Sequence, residues 1–182
     1  VRWMGFGGPR LMRLVSTGSA LRVDAWSWRA GQPVPLLQVP APEAAPWALS
    51  ADGSHLAIGG PDGVRLQALE GTGAAPRTLA MTAPPRWLAL SPQAERLAAA
   101  TPDGVWAWPL AGGPAWRSAP VADELLALRW SDDGQMLMAL AVAAGTATSR
   151  QGPDYRLLRW RPADGDRPTL LNLGRQLRPP EL

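Results

Sequence analysis

A segment of about forty residues recurs four times along this 182-residue chain. In each clear copy, a short apolar run ends at a serine and leads into a turn such as Ser50-Ala51-Asp52-Gly53. The serine returns as Ser91 and Ser131, at spacings of 41 and 40 residues. A fixed period of this length indicates a repeat architecture, in which each copy is one structural unit that stacks on its neighbours.

Each copy divides into four short runs of the kind that form β-strands. Asp-Gly and Gly-rich turns separate the runs, because glycine readily adopts the backbone angles of a tight turn. Apolar residues within the runs are continuous or alternate, as buried and half-buried strands require. The runs of the second copy are 47–50, 55–59, 64–69 and 77–81. The pattern predicts one repeat domain over 1–182, with units 1–40, 41–84, 85–121 and 122–174 and a C-terminal tail at 175–182.

This order of strands and turns resembles the WD-repeat β-propeller family over nearly the whole chain. A blade of that family carries a Ser-Pro-Asp-Gly turn, then Asp-Gly-x-Val, then a strand that holds Trp-Asp. The matching residues here are Ser50 to Gly53, Ser131 to Gly134, Asp62 to Val64, Asp103 to Val105, Trp26, Trp108 and Trp160. The aspartate after the tryptophan and the family's Gly-His pair are absent. The resemblance implies an all-β fold: a β-propeller or propeller section with four blades of four antiparallel strands.

Tryptophan is the dominant aromatic residue, with ten copies against one Phe and one Tyr. In a propeller the strands near the axis are crowded, which suits small residues such as Ala48, Ala89, Ala98 and Ala127. Large rings fill the wider space between blades farther out, where each buries about 150–250 Å². We therefore expect most tryptophans to be structural. Trp116, on a predicted outer edge strand, is expected to be the most exposed.

Composition narrows the classes of function. All 18 basic residues are arginine, they are scattered, and the formal net charge is only +3, which does not favour nucleic acid as the partner. The absence of cysteine excludes disulfides and thiolate chemistry. No apolar run reaches the roughly 18 residues of a membrane span, so we expect a cytoplasmic protein without membrane insertion. Arginine, alanine and proline usage is typical of a bacterial gene, and the start at Val1 suggests a piece of a longer chain.

No constellation of residues points to catalysis. His55 is the only histidine, whereas common zinc sites need several His or Cys ligands. A Ser-His-Asp triad would have to use His55, but no Gly-x-Ser-x-Gly elbow accompanies it. The turn aspartates, among them Asp52 and Asp133, have a local role as acceptors of backbone N–H groups. The sequence therefore predicts no enzyme activity, no cofactor and no metal.

Two features are candidates for binding a partner. The first is the stretch 155–167, in which arginines are interleaved with aromatic residues. Such a pattern can bind anions and stack on rings. The second is the insertion 144–153, which breaks the repeat, and insertions in repeat proteins often map to a binding face. Together with Trp116, the candidate residues are Thr146, Arg150, Gln151, Tyr155, Arg159 and Arg161.

The resemblance implies a non-catalytic scaffold for protein–protein interaction, within a larger multidomain protein or completed as a ring by self-association of two copies. Two other functions stay open. One is an enzyme or small-ligand sensor that uses the central channel, which would need polar residues on the first strands of several blades. The other is arginine-mediated nucleic-acid binding, which would show a steep salt dependence.

Overall fold

The computed structural model describes residues 3–7, 10–26, 32–42, 44–69, 75–146 and 152–174. It contains sixteen antiparallel strands in four sheets, and no helix in the described ranges. Blade 1 has strands β1 (Trp3–Gly7), β2 (Arg10–Ser16), β3 (Ala20–Trp26) and β4 (Pro33–Pro40). Blade 2 has β5 (Trp47–Leu49), β6 (His55–Gly60), β7 (Gly63–Ala68) and β8 (Arg77–Ala80). Blade 3 has β9 (Trp87–Leu90), β10 (Arg96–Thr101), β11 (Gly104–Pro109) and β12 (Trp116–Arg117). Blade 4 has β13 (Glu124–Trp130), β14 (Leu137–Val142), β15 (Tyr155–Trp160) and β16 (Thr169–Gly174).

Each blade is a meander in which every strand pairs with the next one along the chain. The predicted plan of four blades with four strands each is confirmed, and the strand ends of blade 2 lie within one residue of the predicted ones. The first strands β5, β9 and β13 lie side by side, so the blades are arranged in chain order around a common inner edge. With no helix in the described chain, none is present there to span a bilayer.

The serine that marks the repeat fixes the turn between the first two strands. Its hydroxyl oxygen accepts a hydrogen bond from the backbone N–H five residues on, in three blades alike. The bonds run from His55 to Ser50 at 2.9 Å, from Arg96 to Ser91 at 2.9 Å and from Met136 to Ser131 at 3.0 Å. Ser50 and Ser91 are buried, so these bonds satisfy groups that water does not reach.

The same turn needs one residue in the left-handed backbone region. In blades 2 and 4 this residue is Gly53 (φ 74°) or Gly134 (φ 66°), as expected for glycine. In blade 3 it is Ala94, with φ 54°. The turn therefore keeps its shape without the glycine that normally favours it.

Every blade has two faces because side chains alternate along a strand. We call the face turned towards the blade before it in sequence the preceding face, and the opposite one the following face. Three buried apolar cores lie between consecutive blades. In the core between blades 3 and 4, Ala89, Ala98 and Ala100 of the following face of blade 3 pack against residues of the preceding face of blade 4 that include Trp130 and Trp160.

Small residues on a following face let the next blade approach closely. Ala98 and Ala100 are fully buried. At Gly59 of blade 2, a Cβ atom would lie only 2.8 Å from Pro85 Cγ at the start of blade 3. Between blades 3 and 4 the space is therefore filled mainly by the larger residues of the preceding face, whereas between blades 1 and 2 Met12 and Leu14 of the following face fill part of it.

The described tryptophans are buried or half-buried except for Trp87, and the expectations for Trp116 and Ala127 are wrong. Trp108, Trp130 and Trp160 are buried between blades, as predicted for structural tryptophans. Trp116 is only half-buried and packs against the core of blades 3 and 4, whereas Trp87 is exposed at 38%. The prediction for Trp116 fails because β12 has only two residues and a turn of blade 4 covers the ring. Ala127 is exposed too, since it lies on the following face of blade 4.

Candidate interaction surface

The following face of blade 4 is uncovered in the described chain. Its residues alternate with the buried Trp130, Leu137, Ala139, Leu158 and Trp160 along β13, β14 and β15. None of its side chains belongs to an inter-blade core of the described residues. The residues that form this surface are Arg129, Met138, Leu140, Tyr155, Leu157, Arg159 and Leu171.

The residue types on this surface break the pattern of the repeat. Counting from the turn serine, position −2 is Ala48 and Ala89 in blades 2 and 3, but Arg129 in blade 4. At position +7, Met138 stands where blades 2 and 3 have alanine, and at position +9 Leu140 stands where they have Gly59 or alanine. Blade 1 has Met12 and Leu14 at the second and third of these positions, and both are buried against blade 2. At the first position blade 1 has Gly5, so the charged Arg129 is the residue without a counterpart on a covered face.

Arg159 shows the same departure on the third strand of the blade. The residue at this position is Ala25, Leu66 or Ala107 in the other blades, and all three are buried against the next blade. In blade 4 the position lies at the centre of an uncovered face, where Arg159 pairs across the sheet with Met138 and Thr169. Arg159 as a whole is half-buried, so part of its side chain is accessible to solvent or a partner.

A pocket opens where this surface meets the turn between β15 and β16. Its volume is about 240 Å³, and three arginines line it: Arg159, Arg161 and Arg167. Asp164 and Thr169 complete its polar lining. No ion pair joins any of the three arginines to Asp164 among the described residues. The described lining therefore carries a net charge of about +2, from three guanidinium groups and one carboxylate.

Two residues of the pocket lining, Arg159 and Trp160, have a buried side-chain N–H without a hydrogen-bond partner in the described chain. Arg159 Nε is inaccessible to water and has no hydrogen-bond partner in the described chain. Leaving a buried donor without a partner costs about 1–3 kcal/mol. Arg161, in contrast, lies near the carboxylate of Asp133. The hydrogen bond that Ser131 donates is the main cause that lowers the pKa of Asp133, and the positive charge of Arg161 lowers it further.

Blade 3 holds the pocket turn in place. Within the turn, the N–H of Asp164 donates to the carbonyl of Arg161 at 2.8 Å. From blade 3, Trp116 Nε1 donates to the carbonyl of Gly165 at 3.0 Å, and the N–H of Ala119 donates to the carbonyl of Asp166 at 2.9 Å. Trp116, which the sequence predicts to be a partner-binding residue, therefore stabilises one wall of the arginine pocket.

The other candidate residues divide into two groups. Tyr155 lies on the same face of β15 as Arg159, at the opposite end of the strand and about 13 Å away at the usual rise per residue. The Thr146 hydroxyl is used internally, because it donates to the carbonyl of Ala143 at 2.8 Å and accepts the N–H of Asp154 at 3.0 Å. Arg150 and Gln151 lie outside the described residues.

The preceding face of blade 1 is the second uncovered face. Met4 and Phe6 on β1 are exposed at 55% and 75%. Beside them, Asp24 is buried between Arg13 at 2.7 Å and Arg22 at 2.7 Å. Hydrogen bonds from Arg22, and to a lesser degree from Arg13, lower the pKa of Asp24 although burial raises it. Sequence reasoning missed this cluster, because only the register of β2 and β3 brings Arg13 opposite Asp24.

His55 takes part in a turn network that does not have the geometry of a hydrolase triad. Its Nδ1 lies 2.8 Å from Ser54 Oγ, and Ser54 Oγ donates to the Asp52 carboxylate at 2.7 Å. In a triad the imidazole lies between the serine and the carboxylate; here the serine lies between them. Burial raises the pKa of Asp52, but hydrogen bonds from Ser50 and Ser54 outweigh it and lower the value.

The inner edge of the blades forms an apolar groove. A space of about 260 Å³ there is lined by β5, β9 and β13, and Arg129 and Asp132 are the charged residues of its lining. Among the residues that the structure describes, no group of three or more His, Asp or Glu side chains could hold a metal ion.

Comparison with known proteins identifies the fold class. No family model matches the sequence, and no curated protein matches it. Hsv2 from Kluyveromyces lactis is 12% identical with a TM-score of 0.62, over 89% of this chain and 48% of Hsv2. The tricorn protease is 12% identical with a TM-score of 0.63, over 88% of this chain and 18% of the protease. A TolB from Agrobacterium tumefaciens is 18% identical with a TM-score of 0.61, over 97% of this chain and 61% of TolB.

All three of these structures are β-propeller proteins, so this chain has a β-propeller fold. It spans less than two thirds of the length of each. At identities of 12–18% the likeness shows the fold alone. The narrower WD-repeat resemblance stays a prediction.

Proposed function

We propose that this β-propeller chain is a non-catalytic platform for protein–protein interaction, and that the partner docks on the following face of blade 4. The observation that carries the proposal is the presence of Arg129 and Arg159 on this face, at two positions where the covered faces of blades 1 to 3 have only Gly, Ala or Leu. A blade of the same kind as blades 2 to 4 would bury both guanidinium groups against an apolar preceding face, which is costly without a counter-charge.

The chemistry of the surface defines its complement. Arginine, methionine and tyrosine are enriched in protein interfaces, and arginine and tyrosine often dominate the binding energy. The apolar centre of Met138, Leu140 and Leu157 is flanked by Arg129 and Arg159. A fitting partner presents small apolar residues at the centre of its surface and acidic residues at the flanks.

The charge of the other uncovered face argues for a different protein as partner. A ring of two copies would bring the preceding face of blade 1 against the following face of blade 4. Arg13 and Arg22 already share the only carboxylate between them, Asp24, and would approach Arg129 and Arg159. Like charges placed together at an interface are unfavourable.

A photo-crosslinking amino acid placed at Leu157 tests the proposal, with the same amino acid at the exposed Thr82 of blade 2 as control. The protein captured from Leu157 is then purified and its direct affinity measured. We expect Arg159→Glu to weaken binding about tenfold or more, because it places a like charge opposite an acidic partner. The same charge change at the exposed Arg86 is expected to have little effect.

Three results would overturn the proposal. The first is capture from Thr82 alone; the second is equal loss of affinity for Arg86→Glu and Arg159→Glu. The third is a dimer of this chain in sedimentation that Arg159→Glu leaves intact. Hydrolytic turnover that disappears on His55→Ala would instead support the enzyme alternative.

A further inference from the structure

We propose that the arginine pocket at the end of β15 is an oxyanion-binding site, through which the platform recognises a phosphate or carboxylate group of its ligand. This inference rests on the proposed function, since it assigns a recognition chemistry to one border of the docking surface. The pocket residues that carry it are Arg159, Arg161, Arg167 and Thr169.

The first argument is the number of donors. A guanidinium group has five N–H donors and no acceptor, and its planar fork matches the oxygens of a carboxylate or phosphate. Three guanidinium groups and the Thr169 hydroxyl line one pocket of about 240 Å³. Asp164 is the single carboxylate of the lining, and no hydrogen bond or ion pair to it uses these donors in the described chain.

The second argument is the unused donor. Arg159 Nε is buried without a partner, as are Arg65 Nε and Arg156 Nε, and of these three arginines only Arg159 lines this pocket. Ala107, Leu66 and Ala25 occupy the same position in the other blades, so the blade architecture does not require a polar residue there. An oxyanion in the pocket supplies acceptors next to a donor that the chain itself leaves unpaired.

The third argument is preorganisation. Trp116 and Ala119 of blade 3 hold the turn that carries Gly165 and Asp166, so the wall of the pocket is attached to a neighbouring blade. Arg159 and Thr169 are fixed as a cross-strand pair in the sheet. A site with braced walls loses less conformational entropy when its ligand binds.

Side-chain NMR of the whole chain tests this site, because each arginine Nε–H gives its own signal. Inorganic phosphate is titrated at constant ionic strength, with chloride as the control anion. We expect a saturable shift of the Arg159 Nε–H signal with phosphate and none with chloride. Arg161→Gln and Arg167→Gln should each weaken phosphate about tenfold, whereas Arg86→Gln, outside the pocket, should not.

A second titration with a short glutamate-rich peptide distinguishes the source of the oxyanion. Tighter binding of the peptide than of phosphate identifies acidic side chains of a protein; tighter binding of phosphate identifies a phosphoryl group. Equal shifts with phosphate and chloride, or no saturable shift with either ligand, overturn the inference. If the Leu157 crosslink still captures a partner in that case, only the oxyanion site fails; if capture fails as well, the platform fails with it.

Discussion

The following faces of blades 3 and 4 are built on the same strands and the same turn, yet one is covered and the other is open. In blade 3, Ala89, Ala98 and Ala100 form a low surface on which blade 4 packs closely. In blade 4 the same positions are occupied by longer side chains, those of Arg129, Met138 and Leu140. Met12 and Leu14 of blade 1 occupy two of these positions and are buried by blade 2, so side-chain length does not distinguish an open face. The repeat determines how each blade folds, whereas the charged Arg129 and Arg159 distinguish the open face.

The largest expected change in stability comes from replacing a tryptophan on a covered face, and the same replacement on an open face should cost less. Trp160→Ala should lower the free energy of unfolding by about 3–5 kcal/mol, because the ring is buried between two blades. Trp26→Ala, at the same position on the half-buried preceding face of blade 1, should cost about 1–2 kcal/mol. Urea unfolding followed by circular dichroism measures both.

The control for this pair is Trp160→Phe, which keeps most of the ring and removes an indole N–H that has no partner in the described chain. It should cost much less than the alanine variant. Equal losses for Trp26→Ala and Trp160→Ala would mean that the two faces are equally covered, contrary to the comparison.

Exchanging a residue between the covered face of blade 3 and the open face of blade 4 should give the next largest change in stability. Ala98→Met introduces the blade 4 residue into a fully buried interface and should destabilise the chain by about 1–3 kcal/mol through overpacking. The reverse change, Met138→Ala, trims a half-buried side chain and should cost about 1 kcal/mol or less. Thermal and urea unfolding give the two values. A larger loss for Met138→Ala would show that blade 4 carries a covered face after all.

The smallest expected change in stability concerns the preceding face of blade 1, and it depends on pH. Hydrogen bonds from Arg22 and Arg13 hold the pKa of Asp24 below its ordinary value of 3.8. A carboxyl group with a lowered pKa in the folded state stabilises the fold above its unfolded pKa. This stabilisation should be lost as the pH falls from about 4 through the folded pKa.

Asp24→Asn removes the titrating group and should flatten this part of the acid-unfolding curve. At pH 7 the substitution should cost about 1–2 kcal/mol, since it weakens charge-assisted hydrogen bonds to arginines that solvent partly screens. Arg86→Gln is a matched surface control without a partner in an ion pair of the described chain. An acid transition that Asp24→Asn leaves unchanged would assign the pH dependence to other carboxyl groups.

The strand plan could be predicted because it depends on local signals. Asp-Gly turns and alternating apolar runs specify short antiparallel strands whatever lies beside them. The position of Arg159 on the face of β15 opposite the buried Leu158 and Trp160 follows from the same alternation. Inter-blade contacts carry no such local signal, which is why the exposure of Trp116 and Ala127 was predicted wrongly.

The candidate site was predicted only in part for the same reason. The arginines of 156–167 were visible in the sequence, but the pocket depends on a turn that Trp116 holds from a different blade. The departure at Arg129 is also present in the sequence, and aligning the copies on their turn serines finds it. The Arg13–Asp24–Arg22 cluster needed the register between two strands, which the sequence does not specify.

Ala94 in the left-handed backbone region has an evolutionary consequence. The turn held by the Ser91 hydroxyl keeps its shape without a glycine. Most residues of such a turn can therefore change by mutation while the strands stay in place. Copies of the repeat can then drift until only a serine and the spacing remain in common. The hydrogen bond from the backbone N–H to the turn serine is therefore a better marker of equivalent positions in two blades than the identity of the residues around it.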